Sequence, residues 1–402
     1  MKFSKLSQLI LVSAIGLTLA TFLTACQLVS IDFVYVADSA GSTAGSAGQI
    51  STFAVDAYSG ALRTVNSTIS SGGTGPVALA LTSDESNLYV ANQGNNSVVH
   101  FAIDVNGVLT KKDAVTLANA PVSMAINTAG TYLYVVSGTT SATLSEYSLS
   151  SGTIGSVVAT IPLTLSGYPS DTILPAGVNV LANNSAVYVA AYDKSAYNPG
   201  GATTSNANPG WVFGYTVASG GALTPLSGSP YQAGVKPSSL VSDPTSRFVY
   251  VTDYASNQLV GYTVQSGGAL SFMFNGPFKT GNEPQSVAID PRGVFLYVAN
   301  SLDSSVTSYS ISLPTGSPSQ VSNTTTLNNA TDTQPVSILV EPALGRYVYT
   351  ANHLGNTLSG FKLNPNTGAL DSTQATPYPT DAAPTAIIAI PHGNHAIQTT
   401  AQ

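Results

Sequence analysis

One eleven-residue phrase keeps returning along the chain: "LYVANQGNNSV" at 88–98, "VYVTDYASNQL" at 249–259, "LYVANSLDSSV" at 296–306 and "VYTANHLGNTL" at 348–358. Seven copies are marked by Tyr35, Tyr89, Tyr134, Tyr188, Tyr250, Tyr297 and Tyr349, spaced 45 to 62 residues apart. A repeat of that period means one supersecondary unit used many times. Each copy is a run of Tyr, Val, Leu and Ala followed by turn residues, which is a buried-strand pattern.

Other signals travel with the tyrosine. A proline stands 13 residues before it at Pro76, Pro121, Pro175, Pro237 and Pro284, and 14 before it at Pro335. An apolar run and a turn lie between them. After the tyrosine strand comes an alternating strand such as "SVVHFAID" (97–104), then a glycine turn at Gly60, Gly107, Gly152, Gly221, Gly268, Gly316 or Gly368. Glycine accepts the positive φ of tight hairpins. Each unit is therefore a four-stranded meander, A–B–C–D, with the tyrosine on strand B and the proline just before strand A, where a missing N–H does least harm.

Four-stranded units of this length read as propeller blades, and seven phrases predict an all-β, seven-bladed β-propeller of antiparallel blades. The ends support closure. The first phrase, "IDFVYVAD" (31–38), has no strand A before it, and "PTAIIAIPHG" (384–393) is a strand A with no blade after it. The C-terminal strand is expected to complete the first blade. Ile397, in "HAIQTTAQ", looks like a decayed strand B and is expected to lie outside that blade.

The units "PQSVAIDPRGVFLYVANSLDSSVTSYSI" and "PVALALTSDESNLYVANQGNNSVVHFAID" resemble those of the lactonase-type seven-bladed propellers and the related YVTN-repeat proteins, over residues 31–395. The resemblance implies the fold. It also implies a charged pocket with arginine and histidine at the starts of the inner strands. Here the D–A positions hold Gly75-Pro76, Ala120-Pro121, Ala176-Gly177, Lys236-Pro237, Glu283-Pro284 and Gln334-Pro335. Just inside come Ser123, Asn179, Ser238, Ser239, Gln285, Ser286 and Ser337, with no histidine or arginine among them. Lactone hydrolysis needs an activated water and a charge for the developing oxyanion. Lys236 and Glu283, on adjacent blades, are the candidate pair.

The N-terminus is a separate object. Lys2 and Lys5 precede an apolar stretch from Leu9 to Leu23 that ends in Leu23-Thr24-Ala25-Cys26. This resembles a bacterial lipobox, with residues 1–25 as signal peptide, a lipid on Cys26 and a short tether at 26–31. The propeller would then span 32–395, followed by a tail at 396–402. Cys26 is the only cysteine, so no intramolecular disulfide can form. The expected location is extracytoplasmic, anchored to the cell envelope on its periplasmic side or at the surface. Removing residues 1–25 takes away Lys2 and Lys5 and no acid, so the net charge falls from −7 to −9. Charged residues are 8% of the chain, against about 25% in an average protein. Its four arginines (63, 247, 292, 346) are scattered, which argues against nucleic acid as a partner.

In an antiparallel meander the B–C and D–A loops share one face, where a ligand site is expected at the channel mouth. Candidates there are Tyr192, Asp193, Lys194, Tyr197, Asp253, Tyr254, Asn300 and His353. The recurring Asp or Asn after strand B (Asp38, Asn92, Asp253, Asn300, Asn352) is expected to bond its own turn backbone. Two long inserts, 38–49 and 191–215, rise from the same face, the second carrying Tyr192, Tyr197 and Trp211, the only tryptophan. The chain has no GxSxG, HExxH or P-loop, its histidines (100, 353, 392, 395) form no ligand set, and no metal or cofactor is expected. The expected function is a monomeric, membrane-anchored binding module that takes a small molecule or an envelope protein at the mouth. The alternative is a lactone hydrolase resembling propeller-type 6-phosphogluconolactonase, with an altered active site.

Overall fold

A computed structural model describes residues 29–39, 47–166, 170–197, 209–321 and 328–392. The signal and residues 26–28 of the tether, Cys26 included, lie outside these residues. So do 40–46 and 198–208 of the two inserts, and the tail with His395 and Ile397. The chain forms a seven-bladed propeller of seven antiparallel sheets. The inner strands A of the first to seventh blades are Pro384–Pro391, Pro76–Leu81, Pro121–Ile126, Ile173–Val180, Pro237–Ser242, Pro284–Ile289 and Pro335–Val340. The tyrosine strands B are Ser30–Asp38, Asn87–Asn92, Tyr132–Ser137, Ala186–Asp193, Phe248–Asp253, Phe295–Asn300 and Tyr347–Asn352. The C-terminal strand closes the ring as expected, pairing Phe33 with Ile390 and Tyr35 with Ile388.

Two details differ from the sequence reading. In the fourth blade the A–B hairpin runs two residues longer, pairing Ile173 with Asp193. Pro175 and Ala176-Gly177 therefore lie inside strand A, not at its start. In five blades the outer strand D is broken in two, for example Leu223–Pro225 and Tyr231–Gln232. In all five the residue of strand C opposite the tyrosine is small: Thr52 in the first blade, Ser308 in the sixth and glycine in the other three. Gly214, Gly261 and Gly360 lie opposite Tyr188, Tyr250 and Tyr349. A Cβ at these glycines would meet Leu226, Met273 and Thr373 of the outer segment at 2.5–2.8 Å. Side chains from the broken strand thus fold over the glycine toward the tyrosine. In the second and third blades, where strand D is continuous, His100 and Glu146 take the position opposite the tyrosine.

All seven repeat tyrosines are fully buried. Six donate their phenol to the C–D turn glycine carbonyl of the next blade: Tyr35 to Gly107 (3.1 Å), Tyr89 to Gly152, Tyr188 to Gly268 (2.5 Å), Tyr250 to Gly316 (2.6 Å), Tyr297 to Gly368 (3.0 Å) and Tyr349 to Gly60 (2.7 Å). The last bond crosses the closing seam. The repeated phrase is therefore an inter-blade lock. Its glycine is needed twice over. Gly316 has φ of 73°, and a Cβ there would lie 2.4 Å from the Phe248 ring of the preceding blade. Replacing Tyr250 by Phe leaves the Gly316 carbonyl unpaired and should cost about 1–3 kcal/mol; unchanged urea midpoints would contradict this.

The seam also holds two buried acids. Asp32 of the first blade and Glu341 of the seventh are both fully buried. Asp32 accepts from Ala343 N (3.3 Å), and Glu341 accepts from the backbone of Leu344 and Arg346. Burial, and for Asp32 the neighbouring Glu341 charge, raise both above the usual carboxylate range. Folding therefore takes up a proton that the unfolded chain has released at neutral pH. This makes stability fall as pH rises above the ordinary carboxylate pKa. Asp32→Asn should raise the melting temperature, and by more at pH 8 than at pH 5. An equal shift at both values would contradict this proton uptake.

Candidate functional site

Each inner strand carries the same irregularity at its mouth end. The register slips between the proline, or its equivalent, and the second residue beyond it, as at Pro237/Ser239, Pro284/Ser286 and Pro335/Ser337. The residue between them is bulged out of the ladder, which re-aims its side chain. Ser238, Gln285, Val336 and Thr385 are aimed this way. The next residue is always small: Ala78, Ser123, Gly177, Ser239, Ser286, Ser337 or Ala386. Seven strands that converge on small residues leave an open cavity of about 570 Å³ at the mouth. No Lys, Arg, Asp or Glu lines it; its titratable side chains are Tyr254 and His353.

Several lining groups are spent on holding adjacent blades together. Gln93 donates to the Pro121 carbonyl (3.3 Å), Ser238 to that of Pro284 (2.6 Å) and Thr385 to that of Pro76 (2.7 Å). His353 Nδ1 lies 3.1 Å from the Pro384 carbonyl. A carbonyl only accepts, so Nδ1 carries the proton. In the neutral ring Nε2 then has a free lone pair on a side chain that lines the cavity.

The expected rim candidates separate into two groups. Asp253 and Asn300 are fully buried and are not ligand groups. Nor does the recurring Asp or Asn bond its own turn. Asp253 accepts from Val235 N (2.9 Å) and Lys236 N (2.8 Å), Asn300 accepts from Gly281 N (3.1 Å), and Asn92 accepts from the Ser71 hydroxyl (2.7 Å). These side chains pin the incoming D–A segment. Asp193, also buried, does cap its own turn, through Ser195 N (2.8 Å) and Ala196 N (3.3 Å). Lys194 is exposed on that turn. Trp211, at the end of the second insert, already belongs to strand C (Gly210–Val217) and packs on the core, one of the two places the sequence allowed for it.

The remaining candidates converge. The Lys236 ammonium sits over three tyrosine rings, 4.4 Å from the centroid of Tyr254, 5.4 Å from Tyr197 and 5.7 Å from Tyr192. Tyr192 and Tyr197 meet edge to face at 5.6 Å. Burial lowers the Lys236 pKa, and the Glu283 charge partly offsets this. The two form no ion pair: among the described residues the ion pairs are His100–Asp113 and Arg292–Asp290. The Tyr254 pKa is pushed up to about 12, by burial first and the neighbouring Glu283 carboxylate second. Glu283 has φ of 53°, a left-handed conformation shared by Gly75, Gln334 and Ala383 before the strand A proline of other blades, so the repeated D–A turn sets its backbone. Its backbone N donates to Asn257 Oδ1 (2.9 Å) and its carbonyl accepts from Ser301 N (2.9 Å). Tyr254 also lines the cavity, so this cluster forms one rim of it. Among the described residues no group of three or more His, Cys, Asp or Glu could hold a metal ion.

The family model described as "Lactonase, 7-bladed beta-propeller" matches residues 4–123, 71–168 and 106–395. Among solved structures, a periplasmic gluconolactonase of Pseudomonas aeruginosa superposes with a TM-score of 0.70 at 19% identity, over 90% of this chain and 99% of that one. A putative 6-phosphogluconolactonase of Bacteroides uniformis gives 0.70 at 17%, over 90% and 100%. One of Bacteroides fragilis gives 0.70 at 16%, over 90% and 98%. No curated protein matches the chain. The family match corrects the expectation of a binding module without chemistry, because lactonases name the family that covers almost the whole chain. The chain belongs to the lactonase family of seven-bladed β-propellers.

Proposed function

We propose that the protein hydrolyses a lactone at the mouth cavity. The observation that carries this reading is the Lys236–Glu283–Tyr254 cluster on the rim of a cavity of about 570 Å³, in a chain of the lactonase family. The lactone ring lies among the serine and glutamine side chains of the inner strands, with its carbonyl at the rim. Glu283, fixed by its clamped backbone, takes a proton from the attacking water and returns it to the ring oxygen as the acyl C–O bond of the tetrahedral intermediate breaks, which opens the lactone to the hydroxy acid. The Glu283 charge acts on Lys236 although the two form no ion pair, so the water and the lactone carbonyl are proposed to sit between them. Lys236 is half-buried against three aromatic rings, so its charge acts on the developing oxyanion with less screening than in open water. Asp253 sets the Lys236 backbone from below.

Crystals soaked in gluconate should show the product in the cavity with its carboxylate toward Lys236. Density elsewhere, or none at millimolar product, would contradict the assignment.

The protein is further proposed to be held at the membrane by a lipid on Cys26. Strand B of the first blade starts at Ser30, on the A–B/C–D face, and runs toward Asp38 at the mouth. Residues 27–29 span at most about 10 Å. The anchor thus pulls the opposite face toward the bilayer and leaves the cavity open to the surrounding solution. Cys26→Ser should leave the protein soluble or unprocessed; its continued presence in the membrane pellet, cut at the same site, would contradict the anchor.

A further inference from the structure

Taking the lactonase reading as given, we infer that the substrate is an uncharged, polyhydroxylated lactone that carries no phosphate. The cavity offers hydroxyls and amides, including Ser239, Ser286, Ser337, Gln285 and Gln334, and no Lys or Arg. A phosphate dianion taken out of water needs cations or several charge-assisted hydrogen bonds, and arginine is the usual supplier because its fork matches phosphate.

Every arginine of this chain is elsewhere. Arg247, Arg292 and Arg346 sit in A–B turns on the opposite face, two of them stacked by Phe248 and Phe295. Arg63 lies on the outer strand of the first blade. The insert residues 40–46 and 198–208 contain no Lys, Arg or His. The one lysine at the cavity rim is Lys236, and it is enclosed by three rings with Glu283 beside it. A phosphate there would meet a carboxylate as well as the ammonium. Lys194, on the neighbouring exposed turn, does not line the cavity. The acidic balance of the whole chain repels a dianion further.

A ring bearing only hydroxyls meets none of these costs. Its donors and acceptors match serine hydroxyls, glutamine amides and His353, whose Nδ1 is already tied to the Pro384 carbonyl. The test is acid release in a pH-stat on gluconolactone and on 6-phosphogluconolactone, corrected for spontaneous hydrolysis. Calorimetric titration with gluconate and 6-phosphogluconate reads the same preference without turnover. The expected result is kcat/KM at least about a hundredfold higher for the unphosphorylated lactone, the scale set by one missing charge partner in a desolvated site. Gluconate alone should bind. If neither lactone turns over, the catalytic reading fails, while selective gluconate binding would still support the inference. Equal or faster turnover of the phosphorylated lactone, tighter binding of 6-phosphogluconate, or no binding of gluconate would overturn it.

Discussion

A chain ended after residue 380 will lose its cooperative melt. The missing segment, Pro384–Pro391, is the inner strand of the first blade and pairs along the tyrosine strand from Asp32 to Asp38. Its Ala386, Ile387 and Ile390 are buried between the first blade and its neighbours. Each large side chain loses about 1.5–3 kcal/mol of burial. The ladder bonds of the fully buried Val34–Ala37 stretch are also exposed or orphaned. The two terms together approach the whole stability of an ordinary domain, about 5–15 kcal/mol. The open edge would then invite aggregation. Thermal unfolding followed by circular dichroism checks this. A truncated protein that melts as sharply, and at the same temperature, as the full chain would refute ring closure as the source of stability.

Lys236→Met and Glu283→Gln are expected to abolish most catalysis while leaving the fold alone. Both residues stand on the rim, outside the inter-blade locks. Removing the oxyanion partner or the base should each lower kcat by about 10²–10³-fold. KM should change much less, because the serine-lined cavity that holds the ring is untouched. Glu283→Gln keeps the size of the side chain, so lost activity would report the carboxylate's proton chemistry rather than its packing. Melting temperatures within about 2 °C of wild type would confirm that the change is local. Wild-type turnover in both variants would remove the cluster from the mechanism.

The blade architecture was legible because each of its signals is local. Tyrosine, turn glycine and proline recur at fixed offsets, and each has a backbone reason: a buried phenol that needs an acceptor, a positive φ, a strand start that needs no N–H. The locks themselves were not legible, because Tyr250 and Gly316 belong to different blades. The recurring Asp and Asn were misread for the same reason. Their type suggests a local turn, yet Asp253 reaches back to Val235 and Lys236 on the segment entering the blade. That distance in sequence hid its role in setting the backbone of a candidate catalytic residue. The bulge after each proline also escaped notice, since nothing in "PQS" or "PVS" announces a register slip. The rim cluster was half visible. Lys236, Glu283, Tyr192, Tyr197 and Tyr254 could each be named from the sequence, but three rings closing on one ammonium is a property of the folded ring. The weight given to the missing arginine and histidine pulled the functional reading toward binding alone, and the family match reversed it.

The most direct measurement is the rate of acid release from gluconolactone by the purified wild-type protein against buffer. A saturable rate well above spontaneous hydrolysis, lost in Glu283→Gln, is the result expected of a lactonase working at this cavity. A wild-type rate equal to buffer across the substrate range would contradict it.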